Sequence, residues 1–392
     1  MTITNDSHFN RLAGRFGQYR EWAAVVQQQT GKTWLTQLKE IRALRQLGGQ
    51  CGVSDYYWYK LYDPSYQKGR GAADFLGWSL QENFSMALNP RYAVLPAWDK
   101  FVFTQMASAA GLPVAPIKAA FHPSRQISPD LGIHLKTREA VGRFLRDPSI
   151  YPLFGKPAFS QQGFGSAYLA GYDPATDTLN QLNGGDLKVD DFLKRLDQSV
   201  DSRYHKPECG YLFQEGFTLA PEIQALTQWS ALCGVRVMCL NDVGGVKILR
   251  SFWKIAVPPN QVDNFSMGRY GNLLADVDPV TGEVDRMLGA FWPKASVLER
   301  HPGSGQMISG FRLPGWSEVL QACQIGGAAF PLMKIQHWDF ALTDKGPIIL
   351  ELNDIASTQA AQIHGNGLLT ETAREFLKRH ANAKTHPWVS AL

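Results

Sequence analysis

No stretch of the 392-residue sequence runs to about 18 uncharged apolar residues, so no membrane-spanning helix is expected. Positive charge forms no run along the sequence either. Scattered along the chain, 39 Lys and Arg stand against 35 Asp and Glu, giving a formal net charge of +4, and nucleic acid is not expected as a partner. Cysteine is scarce: Cys51, Cys209, Cys233, Cys239 and Cys323 are odd in number and contain no CxxC pair. That suggests neither a disulfide frame nor a zinc site and leaves buried free thiols as the expectation. Low-complexity tracts are absent as well. Asp6, Arg11, Arg15 and Arg20 precede any apolar stretch, unlike a secretory leader, so a cytoplasmic protein is expected.

What is present is an ordinary globular composition, 44% apolar and 19% charged, in a chain longer than one core usually holds. Two or three lobes are expected. Residues 1–97 read as mainly helical, with helical spacing over Phe16 to Gln28 and Trp34 to Leu47, the second ended by Gly48-Gly49. The run Tyr56, Tyr57, Trp58, Tyr59 and Tyr62 can stack a ring-shaped ligand but more often packs lobe on lobe. Residues 98–218 begin with a helix from Asp99 to Ala110. They continue as short strands from Tyr151, a helix over Val189 to Val200 and an apolar strand over Gly210 to Gln214. Residues 219–392 hold strands over Gly234 to Leu240 and Val246 to Ile255, a helix over Trp316 to Phe330, and a late hairpin turning at Asp344-Lys345-Gly346.

Three segments carry chemistry. In the late hairpin, His337-Trp338-Asp339 is followed by Leu350-Glu351-Leu352-Asn353. Strand alternation puts Glu351 and Asn353 on one face, and Asp339 on the partner strand can join them. Two carboxylates and an amide oxygen are hard donors that suit magnesium, with its waters and phosphate oxygens, and not zinc; alone, the same pattern is a polar strand edge. Second, Lys156 precedes Ser160-Gln161-Gln162-Gly163-Phe164-Gly165, where backbone N–H groups and a lysine can meet phosphate. This is neither a Walker loop nor a dinucleotide fingerprint, and most such loops are plain turns. Third, Leu212-Phe213-Gln214-Glu215-Gly216-Phe217 ends an apolar strand in groups that can meet an adenine edge.

Arginines and turn residues add to these. Arg236 is polar among apolar strand neighbours and is a candidate anion clamp, as is Arg250 on the next strand, although a surface ion pair is the commoner fate of arginine. Asn264 lies in a turn-rich stretch. His301, before Pro302-Gly303, can take a proton from an attacking amine; His337 reads better as packing.

The order Asp99-Lys100, Lys156 with its loop, Gln214-Glu215, Arg236, Asp339, Glu351 and Asn353 resembles the ATP-grasp superfamily. Longer segments are similar to one branch, the sugar-transfer associated ATP-grasp proteins: Val262-Asp263-Asn264-Phe265, His301-Pro302-Gly303-Ser304-Gly305, Gly310-Phe311 to Gly315-Trp316, and Gly346-Pro347. The resemblance runs from Trp98 to Asn353 and implies an α+β ATP-grasp fold, two α+β lobes holding ATP between them, behind a mainly helical N-terminal region. It implies Lys100 and Lys156 on the phosphates with Ser160, Gln162 and Gly163 of the loop; Gln214, Glu215 and Phe217 at the adenine; and Glu222 at the ribose. It places Asp339, Glu351 and Asn353 on Mg2+ or Mn2+, Arg236 and Arg250 at the transferred phosphoryl group, and Asn264 and His301 by the substrate. The loop departs from the family pattern in carrying Gln161, Gln162 and Phe164 where glycines are usual.

The implied activity is an ATP- and magnesium-dependent ligase joining a small-molecule carboxylate to an amine through an acyl phosphate, on a sugar acid or amino acid. Two alternatives stay open: a kinase acting on a hydroxyl, and a nucleotide-binding protein without turnover.

Overall fold

The computed structural model describes residues 6–67, 71–160, 163, 165–182, 185–196, 209–290, 292–293 and 295–392. The chain forms two compact units. One gathers the described chain up to Leu88 with Ala290–Ser296 and Ile355–Leu392; the other holds Asn89–Gly289 and Val297–Asp354.

In the first unit, helices Asp6–Thr30 and Trp34–Gln46 are joined by a short turn, and the Thr33 side chain caps the second by accepting from the Thr36 N–H. The aromatic run is the core of this unit. Trp22, Tyr56, Tyr57, Tyr59 and Tyr62 are all buried, and Trp22 meets Tyr57 and Trp292 edge-on, with centroids 5.5 and 5.1 Å apart. The C-terminal residues, which the sequence pattern assigns to the last lobe, cluster here instead. Gln362 is the reason: fully buried, its amide donates to Leu76 O and Thr358 O and accepts from the N–H groups of Leu76 and Leu368.

The second unit carries two sheets, each of seven strands among the described residues. The first is built from β1 (Ile117–Phe121), β2 (Ile133–Leu135), β3 (Leu153–Pro157), β4 (Ala167–Asp173), β5 (Thr178–Gln181), β6 (Asp186–Lys188) and β7 (Tyr211–Glu215), in the order β2-β1-β7-β3-β4-β5-β6. Leu153, Leu169 and Phe213 bury one of its faces against the helices Arg138–Leu145 and Val189–Arg195. The end of the helix expected up to Val200 lies outside the described residues.

The second sheet is built from β8 (Gly234–Asp242), β9 (Gly245–Ile255), β10 (Leu273–Val277), β11 (Val284–Gly289), β12 (Ser296–Leu298), β13 (Ile335–Thr343) and β14 (Gly346–Asn353), in the order β12-β11-β10-β9-β8-β13-β14. Its alternation decides where the chemistry goes. Val235, Val237, Trp253, Ile255, Trp338 and Phe340 join one core with Val319, Ala322 and Cys323 of the helix Trp316–Ala329. Their neighbours Arg236, Lys254, His337 and Asp339 therefore share the opposite face. Register completes the line, since Asp339 pairs with Arg236 on one side and Glu351 on the other, and His337 pairs with Met238 and Asn353. No helix among the described residues is long and apolar enough to cross a membrane.

Candidate active site

At the centre of that polar face, Arg236 grips the Asp339 carboxylate with both Nε (2.6 Å) and Nη2. Lys254 Nζ stands 3.5 Å from Asp339 Oδ2 and 3.5 Å from Asp263 Oδ1, and Glu351 Oε1 lies 4.0 Å from Arg236. Two cations and two buried carboxylates, with the partly exposed Glu351 at their edge, thus share a small area. Burial alone would raise the Asp339 pKa, but Arg236 and Lys254 outweigh it and hold this carboxyl below the usual range. Burial would likewise lower Lys254, but Asp263 and Asp339 raise it. Asp263 itself is pushed up by burial, against the pull of Lys254. Gly234 makes the arrangement possible: a Cβ there would stand 2.6 Å from Asp263 Oδ2, the oxygen that accepts from the Gly234 N–H.

Lys254 and Asp263 were not singled out from the sequence as site residues. Lys254 carries the signal that picked Arg236, one cation between apolar strand neighbours. Asp263 has no strand signal, because it sits on an irregular loop; its one trace is the family-like segment Val262-Asp263-Asn264-Phe265.

The first sheet meets this cluster through Lys156. Its Nζ donates to Leu350 O at 2.9 Å, beside Glu351, so the lysine strand and the acidic strand are in direct contact. Lys100 opens the helix Lys100–Ala109, whose N-cap Asp99 accepts from the Phe101 and Val102 N–H groups, and Lys100 Nζ donates to Ser160 O at 3.1 Å. Both lysines are buried. Burial pulls Lys156 down to about 7, Lys100 adds to this by like charge, and Glu351 opposes it. Lys100 is lowered by burial too, against Glu351 and Asp99. Two buried lysines near one carboxylate form a site short of negative charge.

The donors suit a hard cation. Glu351 is about one-third exposed, and Asn353 Nδ2 donates to its Oε1 at 3.2 Å, which keeps the amide oxygen for another partner. One open carboxylate and one amide oxygen fit an ion that keeps waters and phosphate oxygens as its other ligands. Asp339 differs, its oxygens being held by Arg236 and Lys254. Among the described residues no three His, Cys, Asp or Glu side chains gather tightly enough to hold a metal by themselves.

The remaining sequence-derived residues fall into two groups. Gln214 is buried and donates to Ala115 O, Glu215 pairs with Lys345 at 2.7 Å, and Phe217 packs with Ala115 and Ile348; these form one end of the strand nearest Lys156. A Cβ at Gly163 would lie 3.6 Å from Val262 and 4.0 Å from the Asn264 amide nitrogen, so Gly163 and Asn264 face each other across two loops. Gln162 lies outside the described residues. Glu222 is exposed on the helix Pro221–Thr227, and Arg250 stands about 13 Å along β9 from Lys254. His301 is buried in a turn where its Nδ1 accepts from the Ser304 N–H, while Ser304 Oγ ties that turn to Leu226 O. His337 is buried on the polar face, and among the described residues neither ring nitrogen has a hydrogen-bond partner.

Two sheets meet here, with buried lysines on one side and an Arg–Asp–Glu–Asn face on the other, in one α+β unit. The chain belongs to the sugar-transfer associated ATP-grasp family, whose model matches residues 79–376. No curated protein is matched by the sequence. Solved structures similar to the chain include D-alanine–D-alanine ligase from Helicobacter pylori, at 13% identity, with 78% of this chain and 68% of that chain covered and a TM-score of 0.41. The biotin carboxylase domain of 2-oxoglutarate carboxylase from Hydrogenobacter thermophilus is 14% identical, with 76% and 53% covered and a TM-score of 0.39. An L-amino acid ligase from Bacillus licheniformis is 10% identical, with 72% and 48% covered and a TM-score of 0.36. The chain thus spans about half the length of the carboxylase chain it matches.

Proposed function

We propose that the second unit binds ATP with magnesium and joins a small-molecule carboxylate to an amine through an acyl phosphate. The observation that carries this reading is the Lys156–Leu350 contact, which brings Lys156, with Lys100 near enough to lower its pKa, to the strand bearing Glu351 and Asn353. Lys100 and Lys156 meet the phosphate oxygens, and the strand end Gln214 to Phe217 receives the adenine. Glu351 and Asn353 would hold the magnesium, which supplies charge neutralisation on the phosphates when bound. Arg236 and Lys254 are fixed by Asp339 and Asp263 before any ligand arrives, so their charge is in position as the phosphoryl group moves.

In the first step a substrate carboxylate oxygen attacks the γ-phosphorus and ADP leaves. In the second the amine attacks the acyl carbon, inorganic phosphate leaves, and the nitrogen loses a proton. The test is incubation with ATP, magnesium and a panel of sugar acids, amino acids and amines, followed by mass spectrometry. ADP with an amide that forms only when both substrates are present is the expected result. A stable phosphoester formed without an amine would replace this reading with a kinase, and absence of ADP across the panel would count against turnover on these substrate classes.

A further inference from the structure

The helix Trp34–Gln46 spends Gln37, Ile41 and Leu44 on the core of its unit. An ordinary surface helix would be polar on its other side. Here Trp34, Leu35 and Leu38 are exposed instead, at 57%, 54% and 46%. Lys39, Arg42 and Arg45 are exposed among them. At about 100° per residue the six side chains fall in the order Trp34, Arg45, Leu38, Arg42, Leu35, Lys39 across roughly 140° of the helix. No acid interrupts that arc. The one acidic residue of the helix, Glu40, lies on the other side, bonded to Lys32 at 2.7 Å and to the Tyr56 hydroxyl. Among the described residues none of the three cations has an ion-pair partner.

We propose that this face seats the protein on an anionic lipid surface, with the helix lying in the plane of the interface. Trp and Leu side chains enter the boundary between headgroups and acyl chains, while Lys and Arg reach phosphate with their heads and cover apolar surface with their stems. Each cation gains from the negative surface potential. The charge pattern speaks against a second copy as the occupant, because a two-fold pairing of this face would set cations against cations. It also differs from spanning the bilayer, for which the helix is too short and too charged.

The test is co-sedimentation of the full chain with sucrose-loaded vesicles of phosphatidylcholine, with and without phosphatidylglycerol. Binding is expected only with phosphatidylglycerol present, and it should weaken as salt rises. The triple variant W34S/L35S/L38S and the double variant R42E/R45E should each lose about tenfold or more in partition coefficient. Their melting profiles should match the unsubstituted chain, because all five side chains face solvent. Equal partition of variants and unsubstituted chain would overturn the proposal, as would absence of binding to phosphatidylglycerol vesicles. So would concentration-dependent self-association by light scattering that the triple variant abolishes while vesicles go unbound.

Discussion

Asp339 and Glu351 are cross-strand neighbours, yet substitution should separate them cleanly. The Asp339 side chain is 4% exposed between Arg236 and Lys254, whereas Glu351 is 34% exposed at the strand end. Asp339→Asn leaves two buried cations short of a counter-charge and should destabilise the protein by about 3–5 kcal/mol, read from urea midpoints. Glu351→Ala should cost little stability, within about 1 kcal/mol, while abolishing magnesium-dependent ADP formation. Equal urea midpoints for the two variants would sink this division of labour.

Lys156 makes a pH prediction at the same scale. Its folded pKa of about 7 lies below the ordinary 10.5, so between those values the unfolded chain binds the proton and the folded chain releases it. Stability contributed through this group is therefore present above about 10.5 and falls as pH drops toward 7. Phosphate oxygens should restore the charge, so ATP binding near pH 8.5 should take up close to one proton. Calorimetry in buffers of differing ionisation enthalpy reads this directly, and Lys156→Ala should remove the uptake and weaken ATP binding. Unchanged proton uptake in that variant would discard the phosphate role.

At the scale of elements, β8, β9, β13 and β14 were legible as largely apolar runs broken by isolated charged residues such as Arg236, Lys254, Asp339 and Glu351. The helix Trp316–Ala329 has an equally plain cause for its seat. A Cβ at Gly326 would stand 2.4 Å from Trp338 Cζ2, on the core face of β13. Trp338 is fully buried and cannot retreat, so Gly326→Ala should destabilise by about 1–3 kcal/mol through overpacking, by urea or thermal melting. A variant as stable as the parent would mean the helix slides at little cost. What sequence pattern did not give was the partnership of loops with strands. Asp263 reaches Lys254 from an irregular segment, and Gly163 meets Val262 and Asn264 across two loops. Such contacts depend on chain closure at a distance and leave no periodic trace. His301 shows the converse: a loop histidine read as a substrate contact is buried in a turn with Ser304.

For the whole molecule, the first unit is assembled from three separated stretches while the charged face lies wholly within the second. Sequence pattern divides the chain at consecutive boundaries, and the return of residues 355–392 to the first unit has no local signature. It rests on long-range bonds such as those of Gln362 with Leu76, 286 residues apart along the chain. Gln362→Leu keeps comparable bulk but strips the Leu76, Thr358 and Leu368 backbone groups of their partner in a buried setting, which should cost about 2–4 kcal/mol. The loss should fall on one unit. A tryptophan-fluorescence melt, to which Trp22 and Trp292 of the first unit contribute alongside tryptophans of the second, should split so that one part of the transition comes earlier, while ATP affinity at temperatures below that part stays within about threefold of the parent, a difference under 1 kcal/mol. Loss of ATP affinity at temperatures below that part of the transition would overturn the expectation that this substitution acts on the first unit alone.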